Sequence, residues 1–186
     1  MTAAALLVAG GAASPASASP ASASPASVSP VCADAHIVPN SRNLARVRAA
    51  TLCLINAKRS AHGLRPLREN APLQAAAEAH TAQMVARDYF DHVGPAGESP
   101  LRRALRAGYA TASEIRWFGE NIAAASGSLA TPAATVASWM ASPPHRAQIL
   151  NPAFRDTGIG VVAGLPRTLG MGRSGATYAE DFGTRA

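Results

Sequence analysis

The chain is poor in the residues that build many familiar folds. Of its 186 residues only 5% are aromatic, two are cysteine and 15% carry a charge. Lysine is almost absent: of seventeen basic residues only Lys58 is not arginine. So few aromatics argue against an aromatic-rich β-sandwich, and abundant alanine favours closely packed helices. Two cysteines without a CxxC or Cys/His spacing exclude a structural zinc motif of the usual kind. No segment beyond the first residues is apolar for long enough to span a bilayer, so the chain is not expected to cross a membrane. The length suits one domain and a tail, and is too short for two full cores.

What is present begins with "MTAAALLVAGGAASPASASP". Its apolar stretch and small-residue sites read as a secretory signal that lacks the basic n-region, consistent with a truncated start. A five-residue repeat, "SPASA SPASA SPASV SP", then occupies residues 14–30. It has no apolar face and reads as a low-complexity spacer. We expect residues 1–30 to form this leader, residues 31–186 to form the folded domain, and the mature protein to be secreted. In an exported chain Cys32 and Cys53 read as one disulfide. Closing a loop of about twenty residues, it would contribute roughly 3 kcal/mol in the chain-entropy model.

Apolar residues then recur at helical spacing. Leu44, Val47, Thr51, Leu54, Ile55 and Lys58 form one stripe, which predicts a helix over 41–62 capped by Asn40 or Ser41. Asn70 caps a second helix with Leu73, Ala76, Ala77, His80, Met84 and Tyr89 inward, His80 being read as a packed core histidine. Ser99 followed by Pro100 starts a short third helix, and Thr131 followed by Pro132 a fourth that turns Val136, Trp139 and Met140 inward. "IRWFGENIAAA" has the composition of a strand, and "DTGIGVVAG" and "TYAEDFG" read as two more strands around a glycine-rich loop at 164–175. Helices around a small sheet whose strands come late make the fold class α+β.

Three polar residues stand out. His145, in "SPPHRAQIL", sits in the first turn of a helix that Ser142 can cap. The helix dipole there disfavours imidazolium and leaves a ring able to accept a proton, a hydrogen bond or a metal. His92 follows the second helix. Glu120 lies within the apolar run "WFGENIA", where a carboxylate needs a partner if buried, a histidine being the obvious type. Such a set can bind a divalent metal, act as an acid/base pair, or satisfy itself as a structural network. The net charge of +6 favours anionic surroundings. The arginines are scattered, apart from Arg102, Arg103 and Arg106, and no aromatic-interleaved basic motif points to nucleic acid.

Taken in order, several motifs resemble the CAP superfamily of cysteine-rich secretory proteins, antigen five and pathogenesis-related proteins, in its bacterial secreted branch. They are Asn56, Arg59, Gly63, Leu64, Pro66, Leu67, Asn70 and Leu73, then Ala77, His80 and Met84, Phe90 and His92, "GENIA" from Gly119, "W..SP.HR..IL" from Trp139, and Phe182 with Gly183. The resemblance implies an α-β-α sandwich with a central antiparallel sheet. It also implies a cleft in which His92 and His145 take the places of the family's two histidines and Glu120 that of its first glutamate. The second glutamate position is Ser142, which cannot act as a carboxylate. Glu180 replaces a usual glutamine and could supply a carboxylate from another strand, but is expected on a solvated strand edge. Arg102 and Arg103 are expected in packing and ion pairing.

The family has no single activity, so three readings stand open. The first is a secreted binding module whose cleft takes a small ligand or a divalent cation such as Zn²⁺, with His92 and His145 as metal ligands. The second is a metal-assisted hydrolase with Glu120 as general base. The third is a structural His/Glu network without a ligand. Lipid, anionic cell-wall polymer and a host protein are the partner classes that fit.

Overall fold

The computed structural model describes residues 32–186, so the leader expected at 1–30 lies outside the described residues. Five helices and four strands follow one another there: α1 (Leu44–Ala61), β1 (Arg68–Glu69), α2 (Ala71–Ala86), α3 (Pro100–Arg106), β2 (Ile115–Ala125), α4 (Pro132–Ala141), α5 (Pro143–Ile149), β3 (Asp156–Ala163) and β4 (Ala176–Arg185). The sheet order is β1-β3-β4-β2. Its three long strands are antiparallel, and β1 adds a two-residue parallel edge beside β3 that the sequence pattern does not reveal. The fold is α+β, with helices on both faces of the sheet.

The local signals act as capping chemistry requires. The side chains of Asn70, Ser99 and Thr131 each accept a backbone N–H of the helix they start, and a proline fills an early helical position in all three. Three local expectations needed revision. Helix α1 starts at Leu44, because Asn43 Oδ1 accepts the Asn40 N–H and ties residues 40–43 into a turn. Its stripe also differs at one place: Lys58 is exposed, while Arg59 is buried and donates to the carbonyls of Arg65, Ile149 and Asn151. Ser142 does occupy the position before α5, but its side chain makes no capping bond. Pro143 and Pro144 take the first two helical positions and so remove one of the N–H groups a cap would bind.

One face of the sheet packs on α1, α4 and α5. There Val47, Ile55, Trp139, Ile149, Phe154, Ile159, Val161, Tyr178 and Phe182 form the main core. The other face packs on α2 at very short range. A Cβ on Gly158 would lie 2.0 Å from the Gln74 nitrogen, and one on Gly160 2.2 Å from the Ala77 carbonyl carbon. Only glycine lets helix and strand approach this closely, and the approach brings His80 and Met84 down onto β2 and β4. The disulfide joins Cys32 to Cys53, with Cα atoms 5.7 Å apart, and so holds the start of the domain against α1.

Glu180 is the clearest departure from expectation. Its place in β4 was read as a solvated edge, but β4 lies inside the sheet between β3 and β2, and Glu180 is fully buried. Thr157 donates to its Oε1 at 3.1 Å, while Oε2 has no partner. Burial pushes its carboxyl up to about 8, against the smaller lowering effects of Thr157 and the Arg59 charge. The unfolded chain ionises this group near 4.5 and the folded one holds its proton until about 8. The stability it contributes is therefore complete below pH 4.5 and is lost as pH rises to about 8. Glu180→Gln is expected to leave the melting midpoint near that of the wild type at pH 4.5 and to raise it at pH 8, by a few kcal/mol in stability. Calorimetric melts across this range measure the effect, and a parallel pH dependence in both proteins would contradict it.

Candidate functional site

The site lies where α2, α3 and the loop after α2 meet strand β2. Glu120 points toward the α2 side, with its side chain 2% exposed. Its Oε1 meets His92 Nδ1 at 2.7 Å, and its Oε2 accepts from Arg103 at 2.7 Å. Arg103 is itself buried, and donates to the His92 carbonyl at 2.9 Å and the Glu98 carbonyl at 3.0 Å. One guanidinium thus holds both the carboxylate and the backbone of the histidine that the carboxylate orients. A buried charge is tolerable only when paired and hydrogen-bonded in this way.

Two further buried groups complete the surroundings. His80, read from its helical stripe as a core histidine, has no exposure, and its Nε2 stands 3.9 Å from Glu120 Oε2. Burial pulls its pKa down to about 4, so it is neutral at physiological pH. Tyr89 donates to Gln83 Oε1, and its hydroxyl oxygen lies 3.3 Å from His80 Nδ1. Asp181 pairs with Glu120 across the strands and is also fully buried. Burial first, and then the Glu120 charge, push its carboxyl well above the usual carboxylate range, which favours its neutral form beside Glu120.

Of the three residues singled out in the sequence, His92 and Glu120 are in direct contact. His145 is half-buried in α5, where its backbone carbonyl accepts from Asn121 Nδ2 at 3.1 Å. No hydrogen bond joins the His145 ring to Glu120 in the structure. Burial, and then the charge of His92, lower its pKa. His92 moves the other way. Its hydrogen bond to Glu120 raises its pKa, and its ring is 47% exposed. With Nδ1 donated to the carboxylate, Nε2 is the atom left for a ligand.

Sequence reasoning missed Arg103 and Asp181 as members of the site. Arg103 had been given an ion-pairing role without its partner, and nothing short of the strand register puts Asp181 opposite Glu120. A signal for Asp181 did exist, since an acidic pair in the middle of an otherwise apolar strand is unusual. Ser142 is half-buried and contributes no carboxylate. Among the described residues, no group of three or more His, Cys, Asp or Glu side chains is placed to hold a metal ion. Glu120 has both oxygens engaged, so His92 and His145 offer two nitrogen donors rather than a cage.

The comparisons with known proteins agree with this architecture. The model of the cysteine-rich secretory protein family, CAP, matches residues 52–165, which cover His92, Arg103, Glu120 and His145. The chain belongs to the CAP family. YkwD of Bacillus subtilis (strain 168) is 39% identical to this CAP chain over 111 residues, 59% of the chain and 40% of that protein. The chain thus spans less than half the length of that relative. Three solved structures share the fold. An extracellular protein containing an SCP domain from Bacillus anthracis str. Ames has a TM-score of 0.61 at 23% identity, covering 77% of this chain and 43% of its own. An outer surface protein from Borrelia burgdorferi gives 0.62 at 14%, over 81% and 99%. A cysteine-rich secretory protein from Staphylococcus aureus subsp. aureus Mu50 gives 0.58 at 21%, over 77% and 40%. At these identities the likeness is one of fold.

Glu120→Gln tests the polar chain directly. The amide still accepts at one position but leaves the buried Arg103 without a counter-charge, and stability is expected to fall by roughly 3 kcal/mol. The His92 pKa should drop toward that of a free imidazole, because the bond that raises it is weakened. Histidine NMR titrations beside thermal melts measure both effects. A His92 pKa unchanged by the substitution would contradict the assignment.

Proposed function

We propose that this CAP domain is an extracellular or cell-envelope binding module. In this reading its cleft presents the imidazoles of His92 and His145 to a small ligand or a divalent cation. The observation that carries the reading is the 2.7 Å bond from His92 Nδ1 to a carboxylate locked by Arg103, which leaves Nε2 oriented and available. A carboxylate behind a histidine is the outer-shell arrangement that fixes an imidazole for a metal or a hydrogen-bonded ligand. With two nitrogens as its protein donors, the site suits a cation that keeps several of its waters, bound weakly. The disulfide and the secretion-type leader support an oxidising compartment.

A hydrolase with Glu120 as general base is less well supported. Its carboxylate is buried and already holds two partners, so it has no free oxygen to take a proton from a substrate or a water. Glu120 acts through His92 and is a positioning residue.

Titration of Zn²⁺ at pH 7.5 during thermal unfolding tests the proposal, because a ligand that prefers the folded form raises the midpoint. A concentration-dependent rise is expected in the wild type, with its loss in both His92→Ala and His145→Ala. No rise, or a rise shared by both variants, would refute the convergence of the two imidazoles.

A further inference from the structure

Strand β2 carries a second feature on the face opposite Glu120. The register places Trp117, Gly119 and Asn121 on one side, with Thr184, Phe182 and Glu180 as their neighbours on β4. Helix α5 runs along this row. His145 meets Asn121 through its backbone, and Gln148, one turn later, fills the space over Gly119: a Cβ there would lie 2.2 Å from Gln148 Oε1. Trp117 is the next position, beside the Thr184 hydroxyl that binds the Ala153 carbonyl, and it is 57% exposed. An indole held open on a strand, in a chain with so few aromatics, exposes a large flat apolar surface at a cost in solvation.

The row gives the cleft a length and a chemistry. Four residues of strand separate Trp117 from Asn121, about 13 Å, with His145 at one end, the Gln148 amide between, and the indole at the other. Along β2 and α5 the one carboxylate is Glu120, which is buried, while Arg116 is exposed and, among the described residues, in no salt bridge; Arg146, about half a turn around α5 from Gln148, lies 3.3 Å from the His62 ring nitrogen. The surface is therefore cationic, polar and closed by a stacking platform. A peptide adding to the β2 edge is disfavoured, because Trp139 Nε1 already takes the Ile122 carbonyl and helices α4 and α5 pack against the strand. We propose that Trp117 extends the imidazole cleft into a subsite for an anionic glycan strand, with a sugar ring on the indole and the acidic groups facing the neighbouring Arg116.

This rests on the reading of the cleft as a binding site, and it is tested separately. The full chain is titrated with hexameric oligogalacturonate, with neutral chitohexaose and with poly-L-glutamate of matched charge. Intrinsic fluorescence reports on the subsite because the other tryptophan, Trp139, is buried. Oligogalacturonate is expected to change the emission, and calorimetry to show weaker binding for chitohexaose. Affinity for oligogalacturonate should fall at least tenfold in Trp117→Ala, hold within about threefold in Trp117→Phe, and leave the Zn²⁺ response as in the wild type. Trp117 is largely exposed, so unaltered melting of the variant confirms that its fold is kept. Unchanged affinity in Trp117→Ala, binding of neither sugar, or equal binding of poly-L-glutamate would overturn the glycan subsite. Loss of the Zn²⁺ response in His145→Ala, with glycan binding kept, would separate the two parts of the cleft.

Discussion

The buried carboxylate of Glu120 is the constraint around which this end of the molecule is organised. A charge with 2% side-chain exposure would not be tolerated alone. Arg103 supplies the counter-charge and His92 a donor, and burial beside this charge raises the carboxyl pKa of Asp181 across the strand, which disfavours a second negative charge. Each of these partners comes from a different segment: α3, the loop after α2, and β4. Satisfying one side chain therefore fixes three pieces of chain relative to β2. The loop that carries His92 is held from both ends, since the guanidinium that binds the carboxylate also binds the His92 carbonyl.

Backbone packing makes this arrangement possible. Gly158 and Gly160 let α2 approach β3 without side chains between them, which lowers His80 to within 3.9 Å of Glu120. On the opposite face of the sheet, Arg59 plays a comparable part for the loops after α1 and α5, collecting backbone carbonyls that would otherwise be buried without donors. Arg59 and Arg103, one on each side of the sheet, thus hold loops where a larger protein would use more core. The pH behaviour follows from the same economy. Burial raises the carboxyl pKa of both Glu180 and Asp181, so rising pH weakens the fold through them.

Much of this was legible in the sequence. Asn70 as a capping residue marked the start of α2, proline after a capping residue marked those of α3 and α4, and helical spacing marked the inward faces of α1 and α2. His92, Glu120 and His145 could be named because histidine and glutamate are conspicuous in apolar runs and because the ordered motifs resembled a known family. The relations between distant residues were not legible. Arg103 looks like any arginine on a short helix until its distance to Glu120 is known. Glu180 looked like a surface residue because strand order is not written in local pattern, and only the central place of β4 buries it. Ser142 looked like a cap, and the prolines after it removed one of the donors that a cap would bind.

Everything at the site depends on Glu120 setting the tautomer and direction of the His92 ring. The most direct test is a ¹⁵N-resolved NMR spectrum of the histidine side chains at pH 8.5. His92 is predicted to carry its proton on Nδ1 and to have a bare Nε2, with one ring orientation. A protonated Nε2, or shifts averaged between the two tautomers, would contradict that role for Glu120.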